Sequence, residues 1–206
     1  MTDPADTAAA KAAMRRRAFD ARKRAHAEGA LAAHAAGRRL IEALDAMGAL
    51  APDARVAAYR PIRTEIDPGP ALDARAGRGV ALAMPVVEGP DRPLAFRPWR
   101  PGAAEVEGAF GAAIPADPAS VPPTALVVPL VAFDAEGYRL GYGGGFYDRT
   151  LEALRAANPS LTALGLAYDA QAVDRVVREA TDQPLDAVVT ETCLVATPHF
   201  LLRRGI

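Results

Sequence analysis

Four glycines within five positions, Gly141, Gly143, Gly144 and Gly145, separate a buried-type apolar run ending at Phe133 from a helix-prone stretch beginning near Tyr147. Glycines in such a turn let backbone N–H groups converge on phosphate oxygens without interference from Cβ, and the N-terminus of the following helix adds about half a positive charge. Arg139, just ahead of the loop, could add a full one. Asp148 falls in the first helical turn. There it either complements the helix dipole, worth at most about 1 kcal/mol, or shares Mg²⁺ with phosphate oxygens and water. The loop matches neither Gly-x-x-x-x-Gly-Lys-[Ser/Thr] nor Gly-x-Gly-x-x-Gly, so it is not an ordinary P-loop or dinucleotide fingerprint. A phosphate cradle and a purely structural glycine turn both fit the local pattern.

Other candidate chemistry is sparser. Lys11 and Arg15 are four apart and share one helix face, but they belong to a basic flank, with Arg16, Arg17, Arg22, Lys23 and Arg24, that composition alone reads as solvated. Thr64-Glu65-Ile66-Asp67 has the spacing of a helix cap, with Thr64 capping and Glu65 a first-turn acid. His26, His34 and His199 have no metal-cluster or nucleophile spacing. The single Cys193 has no partner within the chain. It is expected to be a small buried apolar side chain in a reducing compartment.

These residues need a scaffold. The 206 residues are 50% apolar and 24% charged, enough to bury a core without disulfides or a structural metal. A formal charge of −1 gives no global steering toward nucleic acid or an anionic membrane. Only Lys11 and Lys23 are lysines, so the arginine content reflects compositional bias. The longest apolar run, Ala125 to Phe133, has nine residues, against about 20 needed for a membrane span. The start of the chain, with two acids before any base, does not resemble an export signal. A cytoplasmic location is expected.

From Thr7 to Met47 the chain is Ala-rich and proline-free, which predicts two helices broken at Gly29. Short β-type runs follow at Arg55–Tyr59, Gly79–Met84, Pro93–Phe96, Ala125–Phe133, Leu161–Tyr168 and Asp186–Thr190, with helices expected at Ala71–Ala76, Tyr147–Ala157 and Ala170–Glu179. Buried strands alternating with helices predict α/β architecture, a mainly parallel sheet covered on both faces. Pro98–Pro123 reads as a long surface excursion, often a binding loop. The expectation is a single three-layer α/β domain over residues 1–206, with residues 1–50 as a helical N-terminal segment.

The run Arg139-Leu140-Gly141-Tyr142-Gly143-Gly144-Gly145-Phe146-Tyr147-Asp148-Arg149, preceded by Val128-Pro129 and Ala132-Phe133-Asp134, closely resembles the signature of the 5-formyltetrahydrofolate cyclo-ligase (methenyltetrahydrofolate synthetase) family. The likeness extends to Lys11-x-x-x-Arg15, Tyr59-x-Pro61-x-x-x-Glu65, Met84-Pro85, Leu94-x-Phe96-Arg97-x-Trp99, Gly165-Leu166-Ala167-Tyr168 with Gln171, and Asp182-x-Pro184-Leu185-Asp186. Departures from the family pattern are Thr181, Ile114 and Phe146, where a histidine, an acid and a second tyrosine are common.

The resemblance implies a fold akin to sugar-phosphate isomerases and coenzyme A transferases. It also implies an ATP- and Mg²⁺-dependent ligase of one-carbon metabolism that cyclises 5-formyltetrahydrofolate to 5,10-methenyltetrahydrofolate by phosphorylating the formyl oxygen, releasing ADP and phosphate. Lys11, Arg15 and the loop Arg139, Leu140, Gly141, Tyr142, Gly143, Gly144, Gly145, Phe146 and Tyr147 would contact ATP. Arg139 and Tyr147 would be catalytic, and Asp148 and Asp182 would serve the metal. Glu65, Tyr59, Trp99 and the Gly143–Tyr147 stretch would bind the folate, with or without a polyglutamate tail, and Arg97 is a candidate for the glutamate end. Arg16 and Arg22 would be dispensable, and a monomer is expected. The alternatives are a relative that binds nucleotide or folate without turnover, and a sugar-phosphate or acyl-transfer enzyme on the same scaffold.

Overall fold

The computed structural model describes residues 4–204. Two helices open it, α1 (Pro4–Ala27) and α2 (Ala30–Ala46), separated at Gly29. Gly29 has φ +121°, a region L side chains rarely adopt, so the break falls where glycine permits it. After β1 (Arg55–Ala57) come α3 (Gly69–Ala76), β2 (Ala81–Val86), β3 (Ala95–Trp99), β4 (Glu105–Glu107), β5 (Ala113–Pro115), β6 (Ala125–Pro129), β7 (Ala132–Phe133) and β8 (Arg139–Leu140). The chain continues through α4 (Phe146–Ala157), β9 (Thr162–Leu166), β10 (Ala187–Val189), β11 (Leu194–Ala196) and α5 (Pro198–Arg204).

Seven strands form one sheet in the order β11-β10-β9-β6-β1-β2-β3. The five inner strands pair in parallel, while β3 and β11 close the edges antiparallel. Side chains alternate across it as a pleated strand requires. Val56, Ala125, Val127, Leu164, Leu166, Ala187 and Val189 face α2 and α3, packing with Leu40, Leu44 and Leu72. Ala57, Leu126, Val128, Ala163 and Val188 face α4 and pack with Leu151. Helices on both faces of a mainly parallel sheet confirm the expected α/β layering.

The topology also fixes where a ligand crevice can form. From β1 the chain crosses through α3 to β2 on one side; from β6 it crosses through α4 to β9 on the other. Because β1 and β6 are parallel neighbours, their carboxyl ends flank the switch point where such sheets bind ligands. The Tyr59–Glu65 loop follows β1, and the β7–β8 hairpin and glycine loop follow β6. Helix α1 packs over that hairpin, with Ala18 and Phe19 against Val131, Ala132 and Leu140.

Several expectations are corrected. The apolar run to Phe133 is two strands: β6 stops at Pro129, and β7 pairs with β8 in a separate hairpin. Ala170–Glu179 is not a helix. A single 3₁₀ turn at Asp169–Gln171 gives way to extended chain held by Val173 N–H on the Phe133 carbonyl and Val176 N–H on Asp134, so long-range hydrogen bonds outcompete local propensity. The Pro98–Pro123 excursion carries the β4–β5 hairpin. Cys193 is exposed rather than buried. No helix starts at Thr64; α3 begins at Gly69. None of the described helices is long and apolar enough to cross a membrane.

Candidate active site

The glycine loop is shaped by its own hydrogen bonds and by α1. Asp134, buried in the β7–β8 turn, accepts from Glu136 and Tyr138 N–H on Oδ1 and from Val176 N–H and Arg178 on Oδ2. This fixes the hairpin that launches the loop. Gly143 and Gly145 have φ +103° and +65°, which favours glycine at both. A Cβ on Gly144 would stand 2.8 Å from the Phe146 ring, so that glycine already serves the packing of the loop on α4. Gly141 is different: its φ is ordinary and a Cβ there would meet nothing within 4 Å. The protein itself gives no steric reason for glycine at 141, which leaves room for a close-approaching ligand.

Helix α1 is not merely a solvated basic face. Lys11, Arg15, Ala18, Arg22 and Ala25 fall within one narrow stripe at 3.6 residues per turn, and all but Arg15 are buried, with Arg15 half-buried. Arg15 Nε donates to the Gly141 carbonyl at 2.9 Å. Lys11 Nζ reaches Glu179 Oε2 at 2.7 Å and Asp182 Oδ2 at 2.9 Å. Burial alone would lower the Lys11 pKa, but the two acids win and hold it above the usual value. Arg16, Arg17, Lys23 and Arg24 are exposed. Arg22, expected to belong to the solvated flank, is buried instead.

At the start of α4, Arg139 Nη2 donates to Asp148 Oδ1 at 2.8 Å, and Nη1 donates to the Gln183 carbonyl. Gln183 N–H returns to the same Asp148 oxygen at 3.0 Å, so the Asp182–Gln183 turn is tied to Asp148. Burial lowers the Arg139 pKa and Asp148 and Asp182 oppose that shift. Each aspartate commits one oxygen here: Oδ1 of Asp148, and Oδ2 of Asp182 to Lys11 and Glu179 N–H. Among the described residues no group of three or more His, Cys, Asp or Glu forms a metal cage. One spare oxygen on each of two neighbouring aspartates fits Mg²⁺, which takes one or two carboxylates and completes its shell with phosphate and water.

Glu65 lies after β1 in the loop beside the glycines. Its Oε2 accepts from Ile62 N–H at 2.9 Å and its Oε1 accepts from the Tyr142 hydroxyl at 2.9 Å. Burial pushes its pKa up, and Ile62, Tyr142 and Arg22 pull the other way. The Tyr59 hydroxyl donates to the Ile66 carbonyl at 2.7 Å, so Tyr59 braces the loop carrying Glu65. Burial also raises the Tyr147 phenol, with Glu65 adding and Arg139 opposing.

Trp99 shares a core cluster with Tyr59 but makes its polar contacts elsewhere. Its Nε1–H donates to Glu105 at 2.8 Å and Arg60 lies over its ring at 4.7 Å. Arg97 is committed to the Pro115 carbonyl at 3.0 Å. Sequence reasoning missed two residues. Arg22, i+11 from Lys11, could have been found by extending the helical period. Phe110, at the tip of the β4–β5 hairpin with φ +59°, sets its ring edge-on to Phe146 at 6.1 Å; no local pattern signalled that contact.

A doubly covered, mainly parallel sheet with a glycine loop, basic side chains and a held carboxylate beside its switch point defines a three-layer α/β protein. Residues 7–191 match the 5-formyltetrahydrofolate cyclo-ligase family, and the chain belongs to that family. The 5-formyltetrahydrofolate cyclo-ligase of Mycolicibacterium smegmatis is 35% identical over 161 residues, 73% of this chain and 75% of that protein. That of Escherichia coli is 51% identical over 65 residues, 32% of this chain and about a third (35%) of the relative's length. The solution structure of Aquifex aeolicus 5,10-methenyltetrahydrofolate synthetase superimposes with TM-score 0.75 at 30% identity, covering 91% of this chain and 93% of that one.

Proposed function

We propose that this chain is an ATP-dependent carbon–nitrogen ligase that closes 5-formyltetrahydrofolate to 5,10-methenyltetrahydrofolate with release of ADP and phosphate, working as one cytoplasmic α/β unit. The observation that carries the reading is the Tyr142–Glu65 hydrogen bond. It supports a single crevice in which a phosphate-type loop and a carboxylate suited to a pterin's donor edge are neighbours.

The formyl oxygen is a poor leaving group. Transfer of the terminal phosphoryl group of ATP to it makes an imidate-like electrophile, which the neighbouring folate nitrogen attacks as phosphate departs. Such transfer depends chiefly on positioning and charge stabilisation. Lys11 and Arg15 supply charge from α1, while the Gly141–Gly145 amides and the N-terminus of α4 supply donors. Arg139 and Tyr147, at the junction of both halves, orient the reacting groups, and Glu65 accepts the pterin amino and ring N–H in two-point fashion. Mg²⁺, bound by Asp148 and Asp182, would neutralise phosphate charge. The exposed Phe110 ring stands at the rim of the loop.

Methenyl product followed by absorbance, with and without ATP and Mg²⁺, tests the proposal. Product only when both are present is expected. Binding of folate or nucleotide without product would instead support the non-catalytic alternative.

A further inference from the structure

Arg22 is among the most buried residues of the chain, with 1% of its surface exposed. A guanidinium has five N–H donors and no acceptor, so its partners reveal its role. Nε donates to Thr64 Oγ1 at 3.1 Å, Nη2 donates to the Tyr142 hydroxyl at 2.8 Å, and Nη1 lies 3.6 Å from Glu65 Oε1 and 3.5 Å from the Leu130 carbonyl. The rings of Phe19 and Tyr142 lie 5.3 and 5.6 Å from its carbon centre. Because Arg22 can only donate, the Tyr142 oxygen must accept from it and give its own proton to Glu65, at 2.9 Å.

The result is a directed relay, Arg22 to Tyr142 to Glu65. With Ile62 N–H on the other oxygen, both ends of the carboxylate are pinned and its plane is fixed. Each oxygen retains a lone pair for a further donor. Stability alone is a poor explanation for this arrangement, since buried ion pairs are often replaced by apolar side chains at no cost. The Arg22 position on α1 otherwise packs between Ala18 and Ala25, where an apolar residue would suit.

We propose that Arg22 is a positioning residue for the folate half of the site, holding Glu65 ionised and oriented both by its charge and through Tyr142. One helix then serves both co-substrates, with Lys11 and Arg15 toward the nucleotide and Arg22 further along, about 16 Å beyond Lys11 and about 10 Å beyond Arg15 at 1.5 Å per residue. The inference rests on the reading of Glu65 as the pterin acceptor.

A double-mutant cycle of Arg22→Met and Glu65→Gln tests it, with KM for 5-formyltetrahydrofolate and for ATP measured between pH 6 and pH 9. Arg22→Met is expected to raise the folate KM roughly tenfold at neutral pH while ATP KM changes less than about twofold. That deficit should shrink toward pH 9, because loss of the cation raises the Glu65 pKa and higher pH restores the carboxylate. The other groups facing Glu65 are Tyr142 from the loop, Tyr147 from α4 and Tyr59 after β1; burial holds all three phenols above their usual range, so they stay neutral over this window. In the Glu65→Gln background, Arg22→Met should add less than about twofold.

An unchanged folate KM in Arg22→Met beside an impaired Glu65→Gln would overturn this inference alone. So would an equal rise in both KM values, or the same Arg22 effect with and without Glu65. A Glu65→Gln enzyme with normal folate KM would overturn the underlying reading of Glu65 as well. Should Arg22→Met not fold, Tyr142→Phe removes only the bridging hydroxyl; it should raise folate KM about threefold or more, and no rise would overturn the relay.

Discussion

Arg15 donates from Nε to the carbonyl oxygen of Gly141 at 2.9 Å, so the first long helix is fastened to the first glycine of the loop. The contact places its remaining guanidinium nitrogens beside Gly143, where a Cβ would come within 3.4 Å of Nη2. A phosphate held by the loop would meet this cation directly.

Replacing Lys11 and Arg15 together by Gln should raise ATP KM roughly tenfold, equivalent to about 1.4 kcal/mol. The matched control is Arg16 and Lys23 to Gln, which removes the same charge from exposed positions of the same helix. Steady-state kinetics at two salt concentrations checks this. Equal effects from the two pairs would return α1 to a general electrostatic role.

Gly141→Ala isolates ligand approach from folding, because nothing in the protein lies within 4 Å of the added methyl. The melting temperature should be unchanged while ATP affinity, measured by titration calorimetry, falls by about 1 kcal/mol or more. The same change at Gly144 would strike the Phe146 ring in any case.

The sheet and its helices were legible because short apolar runs bounded by Gly and Pro mark strands and Ala-rich, proline-free stretches mark helices; Leu40, Leu44 and Leu151 are buried on helices that formed in the expected stretches. The glycine loop was legible because its residue types are rare in combination. The Ala170–Glu179 segment was not, since nothing local announces that Val173 and Val176 will bond to Phe133 and Asp134. Glu65 was found through the family likeness, while its capping geometry was wrong. Arg22 was passed over because a buried arginine among exposed ones looks the same in composition; only its partners across the fold, Thr64, Tyr142 and Glu65, set it apart.

Asp148→Asn removes the charge facing Arg139 and from the spare oxygen offered to Mg²⁺. The half-saturating Mg²⁺ concentration for turnover should rise, while folate binding persists. Because an amide oxygen can still accept from Arg139, the stability loss should be modest, about 1–2 kcal/mol by chemical denaturation. An unaltered Mg²⁺ dependence would leave Asp148 as a helix-dipole and ion-pair residue.

Glu65→Gln should weaken folate binding by about 1–3 kcal/mol, since one acceptor oxygen becomes a donor facing the pterin's donor edge. Its stability should also depend on pH relative to wild type. Burial raises the folded Glu65 pKa above its usual value, so the ionised carboxylate costs stability at neutral pH, and that cost fades as pH falls through the folded pKa. The stability difference between variant and wild type should therefore shift toward wild type between pH 7 and pH 4. A difference that shifts the other way would mean that Arg22 and Tyr142 outweigh desolvation.

The central claim is that both co-substrates react in one crevice, and the stoichiometry of turnover tests it most directly. ADP and methenyl product should be measured in the same reaction of the wild-type protein with 5-formyltetrahydrofolate, ATP and Mg²⁺. One ADP per methenyl product, with negligible ADP when folate is omitted, is the predicted result. Product formed without ADP, or ADP released at the same rate with and without folate, would contradict the account.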